Sequence, residues 1–359
     1  MKKLPLTEFH TFNGAKFLNQ NNWLLPQNYG DAAQEVYLAF SAIGLSDRSY
    51  LGKVFLKGSD ARDLINRIST NDMNKLLAGT VCDTIFSTPQ GRLVDYCRVI
   101  NLDEGYLVIS NYMDNAHLIH WINRFITLED VEVQDASDSF IWLTLFGPKS
   151  FELIQSVSKE KIVEQDDTVW LEFDGESFPV FKNDNYITEA YDICLSDLHK
   201  IESAEWLLEE VEKWEGGLIG ENAFEVIRIQ SGMPAWECEL TEEYNPYEAR
   251  LLNAVSFTKG AYTGQEVISC LDTYDQVQRY LMIVEMDEQP KHKLPLQVIF
   301  NNDPIGNLTS YAYDPLAKKH MGLAYIDRAY TVEGLNLRVE VELGGKRISG
   351  GLKQPDRKK

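Results

Sequence analysis

From Gln278 onward the sequence changes character. Apolar, β-branched and aromatic residues gather in short runs, Tyr280 to Glu285, Gln297 to Phe300, Asn307 to Tyr313, His320 to Ile326 and Leu337 to Leu343. Turn-forming stretches separate them: Asn301-Asn302-Asp303, Asp314-Pro315 and Gly344-Gly345. Runs this short, punctuated this regularly, leave little room for helices and predict a small all-β domain.

Upstream the rhythm differs. Asp31 opens a helix reaching Ala42, with Ala33, Val36, Tyr37 and Phe40 on one face. A strand from Lys53 to Lys57 follows, and Gly58-Ser59-Asp60 leads into a helix that buries Leu64, Ile65 and Ile68. Val81 to Phe86 and Leu93 to Ile100 read as strands joined by a Pro/Gly turn, followed by a strand from Tyr106 to Ser110. Asn111 and Asp114 are placed to cap a helix carrying Leu118, Ile122 and Phe125 inward. The pattern restarts at Phe140 to Phe146, with Pro148 suited to the first turn of a helix. A hairpin around Asp174-Gly175, a strand from Ile187 to Leu195 and a helix from Ala204 to Glu215 complete it. That helix buries Leu207, Val211 and Trp214 and turns Glu209, Glu210, Glu212 and Glu215 to water. Helices alternating with antiparallel strands define an α+β class.

The 359 residues are enough for two or three domains. A formal charge of −21, from 55 acidic and 34 basic residues, argues against nucleic acid or anionic membrane as a partner while leaving room for a local cationic pocket. No signal-peptide-like apolar run follows Met1-Lys2-Lys3, and no apolar window reaches the roughly 18 residues of a membrane helix. Five widely spaced cysteines without a Cys-x-x-Cys pair fit reduced thiols in a cytoplasm and supply no zinc or iron-sulfur ligand set.

Thr258-Lys259-Gly260-Ala261-Tyr262-Thr263-Gly264-Gln265-Glu266 is the densest motif. Its glycines permit backbone angles or close approaches that a Cβ forbids, and Tyr262 offers a flat face, so the loop suits either a flat ligand or a tight corner. It lacks the Gly-Lys-Ser/Thr ending of a phosphate loop. The stretch resembles the Lys-Gly-Cys-Tyr-x-Gly-Gln-Glu signature of the YgfZ-type folate-binding proteins, relatives of the aminomethyltransferase (T-protein) of the glycine cleavage system. Ala261 stands where that signature has cysteine. Other stretches resemble the same families in the same order: Gly44-Leu45-Ser46-Asp47-Arg48-Ser49, Thr70-Asn71-Asp72 with Leu76 and Gly79, Gly91-Arg92-Leu93-Val94-Asp95, Gly232-Met233-Pro234 through Glu239-Leu240, and Pro246-Tyr247-Glu248-Ala249.

The resemblance implies a cloverleaf-like ring of three domains, two interleaved α+β domains (1–50 plus 140–238, and 51–139 plus 239–278) and a β-barrel-like domain at 279–359. It implies tetrahydrofolate or a one-carbon derivative as the cofactor. A pterin needs a carboxylate facing its guanidine-like edge through two parallel hydrogen bonds. Ala190-Tyr191-Asp192-Ile193 resembles the T-protein run Gly-Phe-Glu-Ile, which assigns that carboxylate to Asp192. The resemblance assigns the catalytic role to Asp95, near the folate nitrogens, although Tyr96 stands where transferases carry a second Asp. Both acids are also readable as ordinary outward strand residues. Arg228 is assigned to the ligand tail or to an ion pair, and Trp236 to stacking on the ligand or to the core. Lys259, Tyr262, Gln265 and Glu266 complete the set. Alanine at 261 has no thiolate to offer, and Cys270 reads as structural. His117 and His120, three apart on a helix, lack a third ligand, so no metal is expected.

These readings imply a tetrahydrofolate-binding protein that assists iron-sulfur cluster assembly or repair, with iron-sulfur proteins as partners. A folate-dependent aminomethyl or methyl transferase is the alternative that the retained acids support, so enzymatic activity stays open. A third reading keeps the fold as an interaction protein without folate.

Overall fold

The computed structural model describes every residue except 114, 161, 164–166, 275, 333–336 and 357–359, together with the side chain of residue 272. The chain divides into two compact units. One comprises Met1–Leu64, Met73–Cys82 and Cys97–Ile227, and the other Ile65–Asp72, Asp83–Tyr96 and Arg228–Lys359.

The first unit is built on a six-stranded sheet, in the order Thr168–Phe173, Glu176–Lys182, Ala190–Ser196, Phe140–Phe146, Gly44–Asp47 and Gly217–Leu218. Its strands alternate strictly. Ile141, Leu143 and Leu145 enter one core with Leu153 and Ile154 of helix Ser150–Val157 and with Leu207 and Val211 of helix Lys200–Lys213. Trp142, Phe181 and Cys194 point the other way, into a second core with Phe55, Ile100, Leu107 and Ile109. Because side chains two apart share a face, Thr144 and Asp192 lie on the second side. Phe55, Ile100, Leu107 and Ile109 come from a five-stranded sheet in the order Val81–Ser87, Leu93–Leu102, Gly105–Ser110, Gly52–Lys57 and Glu132–Asp135, whose first two strands belong partly to each unit. Arg98 shares a face with Ile100 and so looks into the same interior.

In the second unit six strands close into a barrel, in the order Arg279–Met286, Lys319–Asp327, Asp303–Asp314, Leu296–Phe300, Arg338–Glu342 and Arg347–Lys353. Met282, Val284, Leu308, Ile326 and Val341 fill it. The sequence reading found the all-β character and missed the last strand. Gly350 and Gly351 dilute its signal, and a Cβ at Gly350 would stand 2.6 Å from the Glu285 carbonyl oxygen, so the pairing itself asks for glycine.

Elsewhere the elements fall close to expectation, with informative differences. Asp31 caps helix Ala32–Ser41, accepting from the amides of Ala33 and Gln34. That helix buries Glu35, Val36, Leu38 and Ala39 and leaves Tyr37 exposed, because the Glu35 carboxylate is drawn inward by the amides of Tyr29 and Gly220. The helix after residue 110 spans Asn115–Asn123, so Phe125 lies beyond its end, packed on Trp121. Its expected cap at Asp114 falls outside the described residues. Pro148 precedes Lys149, the N-cap of Ser150–Val157, and is not in the first turn. The hairpin at Asp174-Gly175 forms with both residues at positive φ, 49° and 84°. The short helix Thr7–Phe12 and strands Lys16–Gln20 and Trp23–Asn28 had no counterpart in the sequence reading. Among the described residues no helix is long and apolar enough to cross a membrane.

Candidate functional site

Asp192 sits mid-strand, paired with Thr144 on one side and Phe181 on the other. That register brings short polar side chains to its carboxylate. Oδ1 accepts from Thr144 Oγ1 at 2.7 Å; Oδ2 accepts from Asn183 Nδ2 at 2.8 Å and from the Arg98 guanidinium. Arg98 also donates through Nη2 to the Lys182 carbonyl at 2.8 Å. Asn183 is set just past its strand by its own amide, which donates to Ala190 O at 2.9 Å. A carboxylate only 2% exposed would be costly alone; three donors, one of them a cation, make it tenable. None of Arg98, Thr144 or Asn183 was singled out from sequence. Arg98 carried a usable signal: a lone cation in the apolar strand Cys97-Arg98-Val99-Ile100 calls for a buried acid.

The Gly44–Asp47 strand and the turn after it carry a second polar network in the same unit. His10 Nε2 bonds Asp47 Oδ2 at 2.7 Å, and His10 Nδ1 bonds the Tyr29 hydroxyl at 2.8 Å. Burial opposes ionisation of Asp47, yet its bonds with His10 and Ser49 hold the carboxyl below its ordinary range. Burial pushes Glu221 up to about 7 against the pull of Arg48, and the Tyr50 hydroxyl donates to Glu221 at 3.0 Å. Arg48 lies 3.2 Å from the centre of the Phe224 ring. Burial lowers Lys53 to about 8, and its ammonium donates to the carbonyls of Ser49 and Leu51.

The other seven sequence-selected positions belong to the second unit. Lys259, 8% exposed, donates to three carbonyls at the end of helix Ala61–Ile68 and just beyond it: Asn66 at 2.6 Å, Ser69 at 2.8 Å and Asn71 at 2.6 Å. Its ammonium is 5.1 Å from the centre of the Tyr262 ring, whose hydroxyl burial pushes up to about 12. The loop is pinned further by Thr263 N donating to Arg67 O at 3.0 Å and by Ser87 Oγ donating to Thr263 O at 2.7 Å. Gly264 has φ +85°, and a Cβ there would stand 2.5 Å from the Thr88 carbonyl oxygen. Gln265 and Glu266 form the first turn of helix Gln265–Thr273, Glu266 facing water. Ala261 is exposed.

Arg228 donates through Nη1 to Met233 O at 2.8 Å and pairs with Glu239 at 3.2 Å. Glu239 also accepts from Ala235 N at 3.0 Å and from the Thr309 hydroxyl of the barrel. Trp236 is half-buried near Leu240. Asp95 is 1% exposed, and its neighbour Tyr96 donates to Asp83 Oδ2 at 2.8 Å. Glu248, unassigned from sequence, is buried 3.2 Å from Arg279 and 3.7 Å from Arg92; burial raises its pKa despite both cations. Thus Lys259 and Tyr262 form one cluster and Arg228 and Glu239 another, while Asp192 has its own set of partners.

Comparison with known proteins accounts for both units. Residues 6–259 match the family described as GCVT N-terminal domain, and residues 279–352 match the glycine cleavage T-protein C-terminal barrel domain. The chain is 27% identical over 346 residues to an aminomethyltransferase of Caldanaerobacter subterraneus subsp. tengcongensis, covering 94% of this chain and 91% of that protein. It is 28% identical over 356 residues to an aminomethyltransferase of Oceanobacillus iheyensis, covering 95% and 94%. The crystal structure of glycine cleavage system aminomethyltransferase T from Bartonella henselae superposes with a TM-score of 0.81 at 19% identity, over 98% of this chain and 97% of that one, and shows the shared fold. With that match running through most of its length, the chain belongs to the GCVT family, N-terminal domain and C-terminal barrel together.

Proposed function

We propose that this protein binds tetrahydrofolate or a one-carbon derivative of it, with Asp192 addressing the guanidine-like edge of the pterin. The observation that carries the reading is the construction around Asp192: a buried carboxylate on a paired strand, oriented by Thr144 and Asn183. Carboxylates built into rigid strands hold a ligand's orientation better than carboxylates on loops. Asp95 is the proposed acid near the folate nitrogens, and the aminomethyltransferase names of the relatives support one-carbon transfer as the chemistry. Arg228, Trp236, Lys259, Tyr262, Gln265 and Glu266 belong to this proposal in a supporting role: Lys259 and Arg228 shape the backbone on which the others stand. The three-domain division inferred from sequence is part of the same proposal.

A second reading places the chain in the YgfZ branch, as a cytoplasmic folate-binding protein that maintains iron-sulfur proteins. The nearly complete signature at Lys259 to Glu266 favours it, and Ala261 removes the thiol that such a role would use. Calorimetric titration with tetrahydrofolate and 5-formyltetrahydrofolate, anaerobic and reduced, tests the common core: saturable binding is expected and Asp192→Ala should abolish it. Wild-type protein that binds neither compound would remove both readings. Product formation from tetrahydrofolate and an aminomethyl donor would then select the transferase.

A further inference from the structure

The carboxylate assigned to the pterin already holds a guanidine, that of Arg98. An ionised carboxylate has about four acceptor positions, two on each oxygen. Oδ1 of Asp192 uses one, for Thr144. Oδ2 accepts from both Asn183 and Arg98. Withdrawing Arg98 alone leaves one open acceptor on each oxygen, and that is the pattern that two parallel hydrogen bonds from a flat N–H edge require. Thr144 and Asn183 can stay where they are. They are short side chains fixed by strand pairing, whereas Arg98 reaches the acid on a long, flexible stem.

Exposure points the same way. The Arg98 side chain retains 11% of its surface against 3% for Asp192, so Arg98 is the more exposed partner of the pair. The Lys182 carbonyl already accepts from Nη2 and provides an anchor independent of the carboxylate.

We propose that Arg98 is an internal stand-in for the ligand's guanidine-like edge, closing the Asp192 carboxylate until a reduced folate displaces it, and that Arg98 thereby sets the affinity of the site. The inference rests on the folate reading and goes beyond it by naming a residue that competes with the ligand. Apparent affinity then falls by the fraction of molecules in which the carboxylate is uncovered. Abolishing the competitor should tighten binding by about tenfold or more.

The test titrates wild type, Arg98→Met, Arg98→Lys and Asp192→Ala with tetrahydrofolate by calorimetry, each variant first checked for a cooperative thermal transition. Arg98→Met keeps the apolar stem and loses every donor, and is expected to bind at least about tenfold tighter than wild type. Arg98→Lys keeps the charge without the flat donor array, is expected to fall between the two, and carries the comparison should Arg98→Met not fold. The ligand should also raise the melting temperature of the Arg98 variants more than that of wild type. If the Arg98 variants bind equally or more weakly while Asp192→Ala abolishes binding, Arg98 is no competitor and the folate reading survives. Absence of binding in every form, Arg98 variants included, overturns the inference and the reading together.

Discussion

Lys259 and Asp192 are both buried charges, one in each unit, and the protein answers them in opposite ways. The ammonium of Lys259 is met by three main-chain carbonyls. Asp192 is met by side chains alone. Backbone partners cannot leave without unravelling a helix end, so the first arrangement is permanent. Side-chain partners can rotate away, so the second can exchange one partner for another. The contrast separates a charge fixed by the backbone from a charge held by exchangeable side chains, two residues that sequence reasoning had both assigned to the ligand.

That contrast breaks most readily at Lys259. Lys259→Met would strand three carbonyls, at about 1–3 kcal/mol for each that water cannot reach, and is expected to lower unfolding free energy in urea by about 3–5 kcal/mol. The folded fraction should keep its affinity for folate. A loss of binding with stability intact would make Lys259 a ligand residue after all.

Glu221 offers a third case, an acid answered by the Tyr50 hydroxyl and held toward its neutral form. Its folded pKa of about 7 lies above the model-peptide value of 4.5, so the folded state keeps the proton longer than the unfolded one. The stability this contributes is complete below about pH 4.5 and is lost as pH rises through about 7, a swing of about 3 kcal/mol. Glu221→Gln should erase that swing, so the difference between the variant's and the wild-type stability should itself change by about 3 kcal/mol between about pH 4.5 and 8. Lys53, lowered to about 8, titrates in both proteins and cancels in the comparison.

Asp192→Asn sharpens the exchangeable side. Asparagine keeps a polar group for Thr144 and leaves Arg98 without its counter-charge; because Arg98 retains some solvent, the expected loss is about 2 kcal/mol. Arg98→Met with Asp192→Asn should recover part of it, measured as a double-mutant cycle. The smallest effect is expected at the signature's odd position. Ala261 is exposed, so Ala261→Cys should change stability by less than about 0.5 kcal/mol while creating a thiol that titrates rapidly with a thiol reagent.

The legible parts of the fold were those with local causes. The Asp31 cap, the Asp174-Gly175 turn and the apolar run Phe140 to Phe146 each write their geometry into neighbouring residues. Tyr37 was misread because the burial of its helix is set by Glu35, whose partner Gly220 is 185 residues away. The same distance problem hid the partners of Asp192. Asp192 was singled out by its motif, but Arg98 lies 94 residues from it and Thr144 lies 48; strand pairing brings Thr144 beside it, and packing of the five-stranded sheet against the six-stranded one brings Arg98. The partners of Lys259 were hidden for the complementary reason: carbonyl acceptors belong to every residue and leave no mark in a sequence.

The discontinuity of the second unit has a consequence for biosynthesis. Residues 65–72 and 83–96 leave the ribosome long before Arg228 begins the main part of their unit, roughly 130 residues after residue 96. At ordinary translation speeds of about 5–20 residues per second that delay is on the order of ten seconds. During it, Val94, Ile85 and Phe86, all fully buried in the finished protein, have no final partners from the main part of their unit. Nascent chains stalled before residue 228 should therefore expose an apolar surface that chaperones hold, and chains released past the barrel should not.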